Sequence, residues 1–236
     1  GADANENAVK IARMYTKKWK IITRYRSYHG ATYGAIALTG DPRRPPVEPA
    51  MPGVVRVFDP YCYRCSFGLT YPSCNLRCAD SVEEVIMYET PETVAAVLVE
   101  TVVGSNGLIV PPDGYMQRLR EICTRNKVLL IADEVMAGFG RCGKWFAIDN
   151  WNVVPDMISM AKGLTSGYVP LGAVAISQKI MDVLDKQMFW AGLTYNAHPL
   201  ACGAALATLK VYREDRLMEN AMAMGEVIRK ETEAMK

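Results

Sequence analysis

Three apolar runs in this chain are each cut short by a side chain able to do chemistry. AAVLV (95–99) stops at Glu100, VLLIA (128–132) at Asp133, and MISMA (157–161) at Lys162. Two runs precede them, Lys20–Thr23 and Val54–Phe58, and the first is closed by Ser27-Tyr28-His29-Gly30; Ala173–Ile176 follows. The runs are continuous rather than alternating, as in strands buried on both faces. Helical periodicity fills the gaps. Ala8, Ile11, Ala12 and Tyr15 share one face over Ala4–Tyr15. Ser81 and Glu84 have capping-box spacing, and Asp113 is placed to cap a helix carrying Met116, Leu119, Ile122 and Cys123. After Pro199 the pattern becomes helical throughout, over Ala201–Tyr212 and Leu217–Met235. The expected fold class is therefore α/β, a mainly parallel sheet with helices on both faces.

Composition narrows the function classes. Half of the 236 residues are hydrophobic and the net charge is +2, which speaks against disorder and against nucleic acid or a membrane surface as partner. The apolar runs are too short to span a bilayer. Seven cysteines without a secretory signal lead us to expect a reducing, cytoplasmic setting. The chain opens at Gly1, without an initiator methionine and inside what reads as a motif, so the expectation is a fragment. Cys62, Cys65, Cys74 and Cys78 follow C-x2-C-x8-C-x3-C, which is similar to zinc-ligand spacing. A loop closed by reversible disulfides, or simply by packing, is the alternative. Any metal there would be structural, so no metal ligand is assigned to the site.

In an open parallel sheet, ligands bind beyond the carboxyl ends of the strands. Tyr28-His29, Glu100, Asp133 and Lys162 all stand at such ends. A lone lysine is most often a solvated charge, but Lys162 follows a buried strand and is trailed by glycines. A partly desolvated amine of that kind suits Schiff-base chemistry. Asp133 has a helix cap as its plain alternative; after five apolar residues its carboxylate needs a cationic partner, which a protonated pyridine nitrogen supplies. Tyr28 is placed to lie against a flat ring, with His29 beside it, and Glu100 to orient the groups around that ring. Gly1-Ala2-Asp3 opens a helix, whose free amides and dipole suit a phosphate. Thr194 offers a hydroxyl and an amide, or merely shapes the turn before the Pro199 helix. Phosphate, flat face, cationic nitrogen and a lysine partner together describe pyridoxal 5'-phosphate.

The stretches GADANENAVKIAR, YHGATYGA, VLVETVVGSNGLIVPP, IADEVMAGFGR, AKGLTSGYVPLGA and GLTYNAHPLACGAALA resemble, in family order, the class III (omega, subgroup II) pyridoxal-phosphate aminotransferases. The resemblance covers essentially the whole chain. It implies a fold-type-I large domain with a seven-stranded type of sheet, over 1–213, and a helix at 214–236 leading to a small domain. It also implies a homodimer with shared active sites. Carried over by motif, Lys162 looks like the Schiff-base lysine and proton carrier, Asp133 like the pyridinium partner, and Val135 like the apolar contact under the ring. Tyr28 looks like the stacking aromatic with His29 beside it. Gly1 and Ala2 match the phosphate cup, and Glu100 the acid supporting Asp133 or the cofactor hydroxyl. Thr194 matches the threonine that reaches the neighbouring subunit's phosphate. Ala2 replaces a common serine and Met136 a common glutamine. The implied substrate-carboxylate arginine lies outside the chain.

The implied reaction moves an amino group from an amino donor to a keto-acid acceptor such as pyruvate. YCYRC and GADANEN look most similar to the taurine–pyruvate and omega-amino-acid–pyruvate branch. A 4-aminobutyrate-type transaminase or an aminomutase on the same scaffold stays open, as does a non-catalytic four-cysteine metal module.

Overall fold

The computed structural model describes residues 1–235. Its centre is a six-stranded sheet of β1 (Lys20–Arg24), β2 (Val54–Val57), β3 (Val94–Glu100), β4 (Leu129–Asp133), β5 (Met157–Met160) and β6 (Ala173–Ile176), in the order β2-β1-β3-β4-β5-β6. All neighbours are parallel except β5 and β6. Around it lie α1 (Ala2–Thr16), α2 (Tyr33–Leu38), α3 (Arg77–Tyr88), α4 (Tyr115–Arg125), α5 (Gln178–Leu184), α6 (Pro199–Glu214) and α7 (Leu217–Ala234). No helix among the described residues is long and apolar enough to cross a membrane.

The two-faced burial read from the apolar runs holds at the centre of the sheet. Every residue of β3 and β4 is buried. Val97, Val99 and Leu130 pack with Ile86, Leu119 and Ile122 of α3 and α4 on one face. Ala96, Leu98 and Ile131 pack with Val9, Ala12 and Ile180 of α1 and α5 on the other. It does not hold for β5 and β6, which are only partly buried. β6 is an edge strand with a neighbour on one side only, and its Ala175 is exposed.

Two expected caps are corrected. The helix assigned to Ser81 and Glu84 begins earlier, at Arg77, because Cys78, Ala79, Val82 and Ile86 continue its apolar face backwards. Ser81 is buried inside it and donates to the Cys78 carbonyl at 2.9 Å, while Glu84 pairs with Arg77 at 2.8 Å. Asp113 makes no cap; Gly114, in a left-handed conformation, precedes α4. The short helices α2 and α5 were not expected from the pattern.

The register matters most for function. Glu100 pairs with Asp133 across β3 and β4, and Asp133 with Ser159 across β4 and β5. One cross-strand row thus brings both carboxylates to the same end of the sheet, near the turn carrying Lys162.

Candidate active site

At the carboxyl end of the strands lies a cavity of about 590 Å³. Every residue predicted for the site lines it except Thr194. Each arrives by a different element: Gly1 and Ala2 at the start of α1, Tyr28 and His29 in the loop after β1, Glu100 at the end of β3. Asp133 and Val135 end and follow β4, and Lys162 follows β5.

Asp133 is 3% exposed and fully engaged on one side. Its Oδ2 contacts His29 Nδ1 at 2.7 Å and accepts from Asn5 Nδ2 at 2.8 Å, while Oδ1 accepts from the Val135 amide at 3.0 Å. Burial alone pushes this carboxyl up; His29, the Val135 amide and Asn5 outweigh it and hold the group below the usual carboxylate range. Asp133 is therefore a buried anion, and Oδ1, with a single partner, has room for a further donor. Asn5 also donates to the His29 carbonyl at 2.8 Å, so one amide group fixes both members of the pair. Asn5 Oδ1 and His29 Nε2 are buried without a partner.

The chain folds tightly enough here that two glycines are required. A Cβ on Gly30, at φ +134°, would come within 2.5 Å of Ala2 Cβ, so the His29-Gly30 turn is pressed onto the start of α1. A Cβ on Gly163 would meet Phe139 Cβ at 2.7 Å. Lys162, just before it, takes φ +42°, a left-handed conformation uncommon for a side-chain-bearing residue. Tyr212 of α6 braces this turn by donating to the Gly163 carbonyl at 3.1 Å.

Two expectations are corrected. Lys162 is exposed rather than desolvated, although it lines the cavity. Glu100 makes no hydrogen bond with Asp133, the first of the two roles implied for it. Its carboxylate accepts from the Tyr28 amide and the Gly104 amide, both at 2.9 Å, and so ties the Tyr28 loop to the loop after β3. Thr194, whose implied place is at the neighbouring subunit's phosphate, is exposed in the loop before α6 and lies outside the lining of this chain's own cavity.

Sequence reasoning passed over Asn5, Arg43 and Glu134. Asn5 carried a signal, since it shares the apolar stripe of α1 with Ala8 and Ala12, where a polar residue needs a partner. Arg43 lies over Tyr28, its Cζ 3.8 Å from the ring centroid. Glu134 is wholly buried, and burial pushes its carboxyl up. It accepts from Thr101 Oγ1 at 2.7 Å and from the amides of Ala147 and Ile148 at 2.9 and 2.8 Å, bracing the loop after β4.

The clustered cysteines form no metal cage. All are free thiols, and no group of three or more His, Cys, Asp or Glu among the described residues is arranged to hold a metal ion. Cys62 is exposed in a turn while Cys78 is buried in the first turn of α3. Burial, with Cys62 and Cys74 nearby, pushes the Cys78 thiol up to about 11.

The residues fit pyridoxal phosphate. Oδ1 of the buried Asp133 anion can take a ring N–H, Tyr28 has one ring face not covered by Arg43, and an amine stands at Lys162 in the same cavity.

The aminotransferase class-III family model matches residues 1–236. An omega-aminotransferase of Caulobacter vibrioides is 41% identical over 241 residues, covering 95% of this chain and 54% of the relative. A putrescine–pyruvate aminotransferase of Pseudomonas aeruginosa is 35% identical over 231 residues, covering 94% and 51%. Among solved structures, the taurine:2-oxoglutarate aminotransferase of Bifidobacterium kashiwanohense, in complex with PLP and glutamate, superposes with a TM-score of 0.93 at 44% identity, covering 100% of this chain and 54% of that one. The chain spans about half the length of the curated relatives it matches.

Proposed function

Because this chain belongs to the class III aminotransferases, we propose that the whole protein is a pyridoxal-phosphate-dependent transaminase. It moves an amino group from an amine or omega-amino acid, of the taurine or β-alanine kind, to a keto acid such as pyruvate. The observation that carries this is the pairing, in one cavity, of a buried anion at Asp133 with an amine at Lys162. Pyridoxal phosphate, when bound, supplies an aldehyde for amine exchange and a ring that takes up electrons from the substrate carbon.

The chain's own residues do the rest. Asp133, kept anionic by its three donors, holds a proton on the ring nitrogen. His29 and Asn5 keep that carboxylate in place. Tyr28 and Val135 bound the ring, and the amides of Gly1 and Ala2 at the start of α1 receive the phosphate. Lys162 Nζ, on the turn that lines the cavity, takes a proton from one carbon and returns it to another. Glu100 sets the height of the Tyr28 loop rather than touching the reacting groups.

The same reading makes the protein a homodimer, with Thr194 of one chain at the phosphate of the other. Support comes from Phe189, Trp190, Leu193 and Tyr195, all exposed in one stretch before α6, an apolar surface that a partner would cover. It also makes residues 1–213 a large domain and α7 the way into a small one; α7 has no buried residue of its own. The test is to supply the complete protein with cofactor, taurine or β-alanine, and pyruvate. Alanine formation, with a visible absorbance that changes on amine addition, is expected. No amine-dependent change with any donor would overturn the proposal.

A further inference from the structure

Cys62, Cys65 and Cys74 lie between β2 and α3, and Cys78 stands in the first turn of α3. None of them belongs to the site described above. The segment is folded back on itself. Phe67 meets Phe58 edge-on, ring centroids 5.6 Å apart, and Arg77 Cζ lies 5.5 Å from the centroid of the same Phe67 ring. Phe67 and Leu76 both pack on the core beneath. The half carrying Cys62 and Cys65 is thereby held against the half carrying Cys74 and Cys78. Each half is pinned by its own turn: the Gly68 amide donates to the Cys65 carbonyl at 3.0 Å, and the Cys74 amide to the Thr70 carbonyl at 2.9 Å.

Access separates the four thiols. Cys62 is exposed, Cys65 and Cys74 are half-buried, and Cys78 is buried. Burial, then the neighbouring Cys74 and Cys65, pushes the Cys62 thiol up, with Cys74 acting on it more strongly than Cys65. An exposed thiol thus has a half-buried one at hand. The base of the segment also reaches the cavity. The buried Asp59 accepts from the Arg26 amide at 3.3 Å and from Arg26 Nη1 at 2.8 Å, and Arg26 Cζ stands 4.9 Å from the centroid of the Tyr61 ring. Arg26 comes two residues before Tyr28, which lines the cavity.

We propose that Cys62 and Cys74 form a redox-modification site, closing to an intrachain disulfide by exchange with a small-molecule disulfide and so bracing the segment that grips Arg26. The Cys62 thiolate attacks one sulfur of the small disulfide. That S–S bond breaks, one small thiolate leaves, and a mixed disulfide stands on Cys62. The Cys74 thiolate then attacks the Cys62 sulfur, the mixed S–S bond breaks, and the second small thiolate leaves. Two protein thiols are oxidised, the small disulfide is reduced to two thiols, and the two cysteine protons end on those thiols. Cys78, buried under the same segment, stays out of the exchange. The site stands independently of the transaminase reading.

The experiment treats the full-length protein with oxidised glutathione at mildly alkaline pH and maps its peptides without reduction, fragmentation separating Cys74 from Cys65. A cross-link from Cys62 to Cys74 should appear and vanish with dithiothreitol. Cys74→Ser should stop at the mixed disulfide, with glutathione left on Cys62, whereas Cys65→Ser should still close. Because the bond restricts the unfolded chain, the oxidised wild type should unfold at a higher urea concentration than the reduced protein, and Cys74→Ser should show no such rise. A bond from Cys62 to Cys65 or to a second chain, no bond at all in the folded protein, or an oxidised form no more resistant to urea than the reduced one would overturn the proposal.

Discussion

Asp133→Asn removes one charge and almost no volume, so it isolates what the buried anion contributes. The carboxylate serves three donors: His29 and Asn5 at Oδ2, Val135 at Oδ1. A carboxamide has one acceptor oxygen. Set at the Oδ2 position, it keeps two bonds and turns its NH2 towards the Val135 amide. Set the other way, it turns NH2 towards Asn5 and His29. Either orientation leaves at least one buried donor unpaired, at a cost of about 1–3 kcal/mol of folding stability. The catalytic loss is larger. Without an anion to hold the proton on the ring nitrogen, about a thousandfold should go from the rate, roughly 4 kcal/mol of barrier. The assay is a urea titration without cofactor and a single-turnover measurement at saturating cofactor, both on the full-length protein. Wild-type stability together with wild-type turnover would refute the reasoning at both steps.

Asn5→Ala should cost about 2–4 kcal/mol in urea titrations, because the His29 carbonyl and Asp133 Oδ2 each lose a buried donor; a change under 0.5 kcal/mol would contradict the packing described. Stability should also fall on the alkaline side. Burial raises Cys78 to about 11 and Cys123 and Tyr115 to about 12, so the fold keeps protons that the unfolded chain releases above its ordinary thiol and phenol values. This contribution is complete below pH 9 and shrinks as pH rises towards 11–12. Denaturation midpoints from pH 7 to 11 should decline, and Cys123→Ala should flatten the decline; equal slopes would show that Cys123 does not contribute.

Most of the sheet was legible because its strands are uniform apolar runs. Ala173–Ile176 forms β6 as read, and the β3 and β4 runs differ from the observed strands by a residue at their ends. The carboxylates were legible for the same reason, since a charged residue ending a buried strand must sit at the rim. Helix starts were less so. Ser81 matched a capping pattern, yet the apolar stripe of α3 ran past it, and burial of Cys78 and Ala79 won over the local signal. That Lys162 follows β5 at the cavity was legible, but its exposure was not, since it depends on what stands opposite across the cavity. Arg43 was invisible because DPRRPP has no periodicity; the arginine reaches Tyr28 only after α2 folds the loop back over the sheet end. Asn5 was within reach, as a polar residue on an apolar stripe.

The central claim is that Lys162, among all the lysines of the chain, is the one that bonds covalently to the cofactor. The direct measurement is borohydride reduction of the cofactor-loaded full-length protein, followed by peptide mapping. The stable phosphopyridoxyl mark should fall on the peptide containing Lys162 and be absent from Lys162→Ala. A mark on Lys10, Lys179 or any other lysine, or an undiminished mark in Lys162→Ala, would contradict the account.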